Sequence, residues 1–431
     1  MAIEPSKNVL DPREAYGPFI GNKWTQLVLA IIGMIMIANL QYAWTLFVPE
    51  VMKGFNATKA AVQLGFSLFI AFESWGQPVA GYFIDRYSPR MLLTIAALMI
   101  GIGWGGMGLA KSLTALYVLY SLAGIGAAFI YSGSIAAGVR WFEASKRGMA
   151  SGLVAAAFGS GAALFIPFIA IILKKQGYNS AFVTTGIIQG IIALIAAQMM
   201  RFPPKAPPSN APKAGAQATA GRRDFTTIEM FKTAHFWLIY LMFLFICTGG
   251  MIVTAQTNPF GKEAGIAANI IVVAATVNTI ANGAGRIIWG MISDKLGRYN
   301  TMFVAFTINA VAMALVPLIG HNAFMFVFLF ALIMFTWGEL YALFPAVNAD
   351  IFGTTYAATN YGFIYSAKGV SGIVGGFVAA LVAQMTGWVP VFLTGAVMSV
   401  LAGLGALLLR SLPKPVPPGI TTGDSGFTTG A

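Results

Sequence analysis

The sequence predicts an all-α integral membrane protein, with twelve transmembrane helices in two pseudo-symmetric six-helix bundles. Three observations predict it. Hydrophobic types make up 58% of the 431 residues and charged types 9%, whereas a soluble domain carries about 25% charged residues. Apolar stretches recur from Trp24 to Leu409, each close to the ~20 residues that cross a hydrocarbon core as a helix. The two halves of the chain also repeat one another at an offset of about 209–210 residues.

Residues 1–23 are polar, carry Glu4, Asp11 and Glu14, and lack the apolar core of a cleavable signal peptide, so they read as an N-terminal tail. The spans follow at roughly 24–49, 58–84, 90–111, 113–140, 146–174 and 179–200, the first bundle being 24–200. Residues 201–233 hold Pro203, Pro204, Pro207, Pro208 and Pro212 among lysines and arginines and read as a linker. Six more spans, at roughly 234–259, 264–293, 300–320, 322–350, 356–385 and 388–410, make the second bundle, 234–410, before a tail at 411–431. Loops elsewhere are short, as antiparallel helical neighbours require.

An even number of spans puts both termini on one side. That side receives most of the 26 basic residues, and the other holds only Lys53, Lys59, Lys111, Lys174, Lys175 and Lys262. The positive-inside rule then predicts a multi-pass protein of the cell's inner (plasma) membrane with both termini cytoplasmic. The net charge of +12 is thereby a topology signal and does not call for nucleic acid. A single cysteine, Cys247, excludes an intrachain disulfide.

The repeat is clearest at the second turn of each half. Gly81-Tyr82-Phe83-Ile84-Asp85-Arg86 corresponds to Gly290-Met291-Ile292-Ser293-Asp294-Lys295, with Arg90 and Arg298 completing the copies, and Tyr131 corresponds to Tyr341. Glycines here are expected to let helices approach, and the helix-end acids to pair with arginines and latch one conformation. Two such copies resemble the major facilitator superfamily, which implies the major facilitator fold and a site at midplane between the halves. Gly101-Ile102-Gly103-Trp104-Gly105-Gly106 satisfies G-x-G-x-x-G, but inside an apolar helix with no preceding strand it reads as a packing face. No Walker A pattern is present, and His235 and His321 belong to no metal-ligand or nucleophilic cluster. Neither a cofactor nor a metal is expected.

Charges inside a membrane span are rare and usually functional. Arg286 lies eight residues before Asp294, ~12 Å from its helix end, and Lys368 lies ~18 Å into its own helix. Asn278, Asn282 and Arg286 share one helix face, and Tyr361, Tyr365, Lys368 and Gly372 share another. Both stripes are expected to line a common polar cavity. The alternative, two structural ion pairs, needs nearby acids, and the C-terminal half offers only Glu339 in mid-span.

Gln41-Tyr42-Ala43-Trp44-Thr45-Leu46, Thr336-Trp337-Gly338, Tyr341-Ala342-Leu343-Phe344-Pro345, Asp350-Ile351-Phe352-Gly353 and Asn360-Tyr361-Gly362-Phe363 resemble the oxalate:formate antiporter family. The likeness runs from about Gly21 to Leu409. It implies that Arg286 and Lys368 bind the carboxylates of a small anion, with Tyr42, Tyr131, Trp337 and Tyr341 caging it and Gln63 lining the site. The residues agree: two cations suit two carboxylates, and an arginine fork suits a planar one. Three departures bear on the substrate. Tyr365 stands where the family has tryptophan, leaving more room; Glu73 stands where it has glutamine; Glu339 stands where it has glycine and, ~200° from Trp337 and Tyr341, is expected to point away from the cavity as a packing acid.

The resulting expectation is a secondary carrier of small carboxylates working by alternating access in a lipid bilayer, exchanging oxalate for formate or similar anions. A proton-coupled monocarboxylate symporter is the second reading. Glu73 is the coupling candidate, because the repeat relates it to Asn282 and relates Gln77 to Arg286. An integral-membrane enzyme is disfavoured by the lack of a nucleophile–base pair, and a non-transporting sensor by the charge pair and the two latch motifs. A complete two-half site in each chain makes a monomer the expectation.

Overall fold

The computed structural model describes residues 12–86, 89–142, 144–203, 224–353 and 356–417, and within these the side chains of 12–14, 85, 86, 139, 144–148 and 358 are outside the description. Most of both expected tails, most of the 201–233 linker, and the side chains of Asp85 and Arg86 in the first latch therefore lie outside the described residues.

Every regular element among the described residues is helical, because in hydrocarbon each backbone N–H and C=O must be satisfied within its own segment. Among the described residues ten helical stretches are long and apolar enough to cross a bilayer. One of these, Met149–Met199, is 51 residues long and turns back at Gly177, whose φ of 81° and ψ of 174° are non-helical. Trp141, just ahead of it, donates to the carbonyl of Arg201, just after it, and Gln26 donates to the Met199 carbonyl, so its two ends lie together, while Asn179 bonds Gly108 at the opposite face. It is thus the fifth and sixth spans. Lys59–Arg86, the second span, has 28 residues and the length to cross, but Gln63, Glu73 and Gln77 dilute its hydropathy. These two adjustments yield the expected twelve.

Helix starts are set locally. Asn22 accepts from the Trp24 N–H, Thr233 from the Phe236 N–H, and Asn322 from the Phe324 and Met325 N–H groups, satisfying donors that a first turn leaves free. Four spans are less continuous than expected. The first is divided into Lys23–Tyr42 and Trp44–Phe55, the fifth by a 3₁₀ turn at Ala162–Leu164 between Ala144–Gly161 and the helix that starts at Ile166, the tenth into Ala323–Gly338 and Leu340–Phe352, and the eleventh into Ala357–Tyr365 and Ala367–Gly372, then a π-helical turn at Ile373–Val378 and Ala379–Thr386.

The strongest helix contacts repeat between halves. The second span packs on the fourth, Leu113–Arg140, as the eighth, Ala268–Leu296, packs on the tenth; the third, Pro89–Gly106, packs on the sixth as the ninth, Arg298–Ile319, packs on the twelfth, Trp388–Ser411. Glycines allow this. A Cβ at Gly124 would meet the Phe69 carbonyl at 2.6 Å, and one at Gly285 would strike the Phe335 carbonyl. Gly101 and Gly105 of the G-x-G-x-x-G run pack against Gly190 and Gly186 of the sixth span. Gly81 and Gly290 depart from expectation: a Cβ at Gly81 would meet nothing within 4 Å, and at Gly290 only the Ala342 Cβ at 4.0 Å. Their flanks are turned away from neighbouring backbones in this conformation, and the close approaches lie deeper in the bundle.

The halves meet through the fifth span on the eighth and the second on the eleventh. From midplane to the face opposite the termini this seam is closed by polar contacts. Ser67 donates to the Gly372 carbonyl at 2.9 Å and accepts from the N–H of Phe377, in the π-helical turn, at 3.0 Å. At the rim Lys59 pairs with Glu263, which also accepts from Trp388 Nε1 at 2.6 Å.

Candidate functional site

Arg286 of the eighth span is 5% exposed. Its Nη1 donates at 2.8 Å to the carbonyl of Ala155, on the fifth span of the other half. Nε and Nη2 donate to Asn282 Oδ1 at 3.3 and 3.2 Å, the contact expected from the i, i+4 stripe. Tyr42 OH donates to the same oxygen at 3.4 Å. Small residues make this crossing possible, since a Cβ at Gly159 would meet Asn282 Oδ1 at 2.6 Å and Arg286 Nε at 2.9 Å, and one at Gly283 would meet Ser160 Cβ at 2.7 Å. The guanidinium also lies over the Tyr341 ring, 4.2 Å from Cζ to centroid, within cation–π range.

Lys368 is fully buried. The expectation that the two cations lack acids is corrected here: Lys368 Nζ pairs with Glu73 Oε2 at 2.8 Å, an acid supplied by the other half. Considering the C-terminal half alone had left only Glu339. Lys368 Nζ donates to Tyr365 OH at 3.0 Å, and that hydroxyl donates to Glu73 Oε1 at 3.2 Å. Ser74 Oγ donates to Glu73 Oε2 at 3.1 Å, and Gln77 Nε2 stands 3.5 Å from Oε1. Burying such a pair is tolerable only with its remaining hydrogen-bonding capacity met, and Glu73 meets it. Glu339 is likewise fully buried, but neither of its oxygens has a hydrogen-bond partner.

Phe158 of the fifth span sits between the cations, its ring centroid 5.7 Å from Arg286 Cζ and 5.5 Å from Lys368 Nζ. Tyr131 and Tyr42 pack on Phe158 at 5.3 and 5.6 Å, Tyr131 on Tyr365 at 5.9 Å, Tyr341 on Tyr365 at 6.1 Å, and Trp337 on Tyr341 at 5.3 Å. Eight spans thus supply one aromatic-walled cage around two cations and one acid, counting Phe243 of the seventh span, 6.0 Å from Tyr365. Trp337 Nε1 and Tyr341 OH are buried donors without a partner. Tyr131 and Tyr341 are each 8% exposed, so a solute reaches this cage only if helices move.

Arg286, Lys368, Asn282, Tyr42, Tyr131, Trp337, Tyr341, Tyr365 and Glu73 are brought together. Gln63 is not among them. Ten residues before Glu73, and so ~15 Å away along the helix, it accepts from Trp44 Nε1 at 2.9 Å and donates to the Ala255 carbonyl at 2.7 Å, bracing the seam near the opposite face. Gly372, expected on the cavity face, instead packs on Ile70. Phe158, Gly159 and the Ala155 carbonyl were not expected. Only the small-residue run Ala155-Ala156-Ala157-Phe158-Gly159 hinted that another helix crosses there.

At the terminal face Arg298 links two spans, with Nη1 3.3 Å from Asp294 and Nε 3.6 Å from Asp350 of the tenth span. Arg90 bonds Gln198 of the sixth span at 2.7 Å. Lys295 is exposed. Among the described residues no group of His, Cys, Asp and Glu is arranged to hold a metal.

Comparison with known proteins agrees with this architecture. Residues 29–268 and 249–428 match the Major Facilitator Superfamily. The chain is 40% identical over 399 residues to the oxalate:formate antiporter of Oxalobacter formigenes, covering 92% of this chain and 94% of that protein. It is 26% identical to the uncharacterized MFS-type transporter YhjX of Escherichia coli (strain K12), covering 81% and 86%. It is 24% identical to the probable sulfoacetate transporter SauU of Cupriavidus necator, covering 83% and 86%.

Proposed function

The chain belongs to the major facilitator superfamily and, within it, to the oxalate:formate antiporter family, and from that premise we propose that it exchanges small carboxylate anions, oxalate for formate or anions like them, by alternating access. It is a transporter and not an enzyme. The observation that carries the substrate class is the closed cage holding Arg286 and Lys368 at midplane, walled by aromatics whose edges suit a small planar anion. An anion held there faces one side of the membrane when the seam opens at the terminal face, and the other when the Ser67–Gly372 and Lys59–Glu263 contacts part.

The carrier works as a monomer in the plasma membrane, with both termini cytoplasmic, two bundles at 24–200 and 234–410, and 201–233 joining them. The basic residues gathered on the terminal side support this orientation. Asp294, Arg298 and Asp350 form one cytoplasmic latch, and Lys295 and the Asp85, Arg86 and Arg90 set contribute to the two copies. Proton-coupled monocarboxylate symport is the second reading, favoured by the carboxylate of Glu73 on Lys368.

Counterflow in proteoliposomes loaded with unlabelled oxalate or formate tests the proposal. Labelled oxalate should accumulate transiently against its own gradient. Failure of oxalate and formate, inside or outside, to drive any counterflow would overturn it.

A further inference from the structure

The two cations of the cage are not equivalent. Among the described residues Arg286 donates to neutral acceptors, the Ala155 carbonyl and Asn282 Oδ1, and its guanidinium lies over the ring of Tyr341, which packs on Trp337; the Tyr341 hydroxyl and Trp337 Nε1 both lack a partner. This side has a full positive charge and unspent donors, which is what a carboxylate needs. Lys368 is fully buried and already faces a carboxylate, and the Tyr365 hydroxyl bridges the two.

We infer that Glu73 is an internal counter-anion that fills the Lys368 side of the cage, so that the carrier takes a monocarboxylate without a proton but takes a dicarboxylate only together with one proton, received by Glu73. This rests on the anion-carrier reading above. With Glu73 ionised, Arg286, Lys368 and Glu73 leave one net positive charge, which a single carboxylate cancels. The second carboxylate of a dianion has to approach Lys368, where Glu73 already sits. Two carboxylates sharing one buried site cannot both stay ionised. The proton passes from bulk water to a Glu73 oxygen, the Lys368 ammonium turns to the ligand, and the loaded site is neutral again.

The groups around Glu73 leave it as the acceptor. Besides Ser74 and Gln77 on its own helix, it faces Lys368 and Tyr365 from the eleventh span. Tyr131 of the fourth, Tyr42 of the first and Cys247 of the seventh lie within electrostatic reach. Among these groups Glu73 is the one carboxylic acid, the others being a lysine, tyrosines, a cysteine, a serine and an amide. One consequence is that exchange of a dicarboxylate for a monocarboxylate moves no net charge, since the proton travels with the dianion.

The test is binding of oxalate and of formate to the purified full chain between about pH 6 and about pH 8, where both ligands are fully ionised. Oxalate affinity should fall by up to about tenfold per pH unit as pH rises, and formate affinity should stay within about twofold. Glu73→Gln should bind oxalate more tightly and with no pH slope, while Glu73→Asp should keep the slope. Oxalate uptake in weakly buffered solution should remove one proton per ligand bound. If wild type binds oxalate with a flat pH profile and no proton uptake, or if formate shares the slope, the inference falls and the carrier reading stands. If neither anion binds or is carried at any pH, the carrier reading fails first. Should Glu73→Gln not fold, the wild-type slope and proton count still decide.

Discussion

Arg286 reaches out of its own bundle and donates to the backbone carbonyl of Ala155, 131 residues away in sequence and across the seam between halves. A backbone carbonyl is a fixed acceptor, and Asn282 holds the other two nitrogens. The fork is therefore aimed before any ligand arrives, and an incoming carboxylate has only neutral acceptors to displace.

Arg286→Gln should lose anion binding. Each charge-assisted hydrogen bond forfeited is worth about 1.5–3 kcal/mol, so affinity should drop at least roughly tenfold. Arg286→Lys should not restore it, because a point charge can neither replace the fork nor keep both neutral acceptors. Counterflow and equilibrium binding check this; wild-type exchange by the lysine variant would refute the fork.

Removing Lys368 alone should unfold the carrier more readily than removing its pair. Lys368→Gln leaves Glu73 buried without its cation, a change that costs about 3–5 kcal/mol in comparable sites. Lys368→Gln combined with Glu73→Gln should recover most of that loss. Thermal unfolding in detergent measures both, and equal destabilisation of single and double variants would show the pair to be uncoupled.

Gly159→Val should block transport while leaving the chain in the membrane. A Cβ there already meets Asn282 Oδ1 at 2.6 Å and Gly283 Cα at 3.0 Å, so the fifth and eighth spans could no longer close. Exchange should fall more than about tenfold, as overpacking of this kind costs about 1–3 kcal/mol. Unchanged exchange at equal expression would mean the seam does not close at this point during the cycle.

At the rim, Lys59 and Glu263 join the second span to the seventh, with Trp388 beneath both. Glu263 is about half exposed, so the pair should be worth only about 0.2–1 kcal/mol. Lys59→Glu should bias the carrier toward opening at that face by a few-fold, and adding Glu263→Lys should reverse the bias. Thiol labelling of a cysteine placed at Thr257 reads the opening; identical labelling in all three variants would remove the pair from the gate.

Intramembrane charge made much of the cage legible from sequence. Arg286 and Lys368 stand out in apolar spans, Asn282 follows from a helical turn, and Tyr131 and Tyr341 follow from the repeat. Three things were not legible, each for a physical reason. Phe158 is one phenylalanine among 33, and in an apolar helix an aromatic carries no periodic signal. The Ala155 carbonyl is backbone, which every residue has. The Glu73–Lys368 pair joins residues 295 apart, and helix periodicity reports only on neighbours within one helix. Gln63 came from the family resemblance alone, and ten residues of helix carry it about 15 Å from Glu73, too far along the span to reach the cage.

The last stretch before the second bundle is a structural part of that bundle. Phe225 N–H donates to the Phe352 carbonyl at 3.0 Å, Thr227 Oγ1 donates to Asn360 at 2.8 Å, a capping box holds Thr226–Glu229, and Phe231 packs on Phe363 at 5.0 Å. For anyone dividing this chain into two co-expressed fragments, the position of the cut matters by only a few residues. A break ahead of Asp224 hands the second fragment its own plug, with fully buried Asn360 still partnered. A break after Lys232 strands that asparagine in the fold and leaves the plug on the wrong fragment, so reassembly should succeed from the first cut and fail from the second.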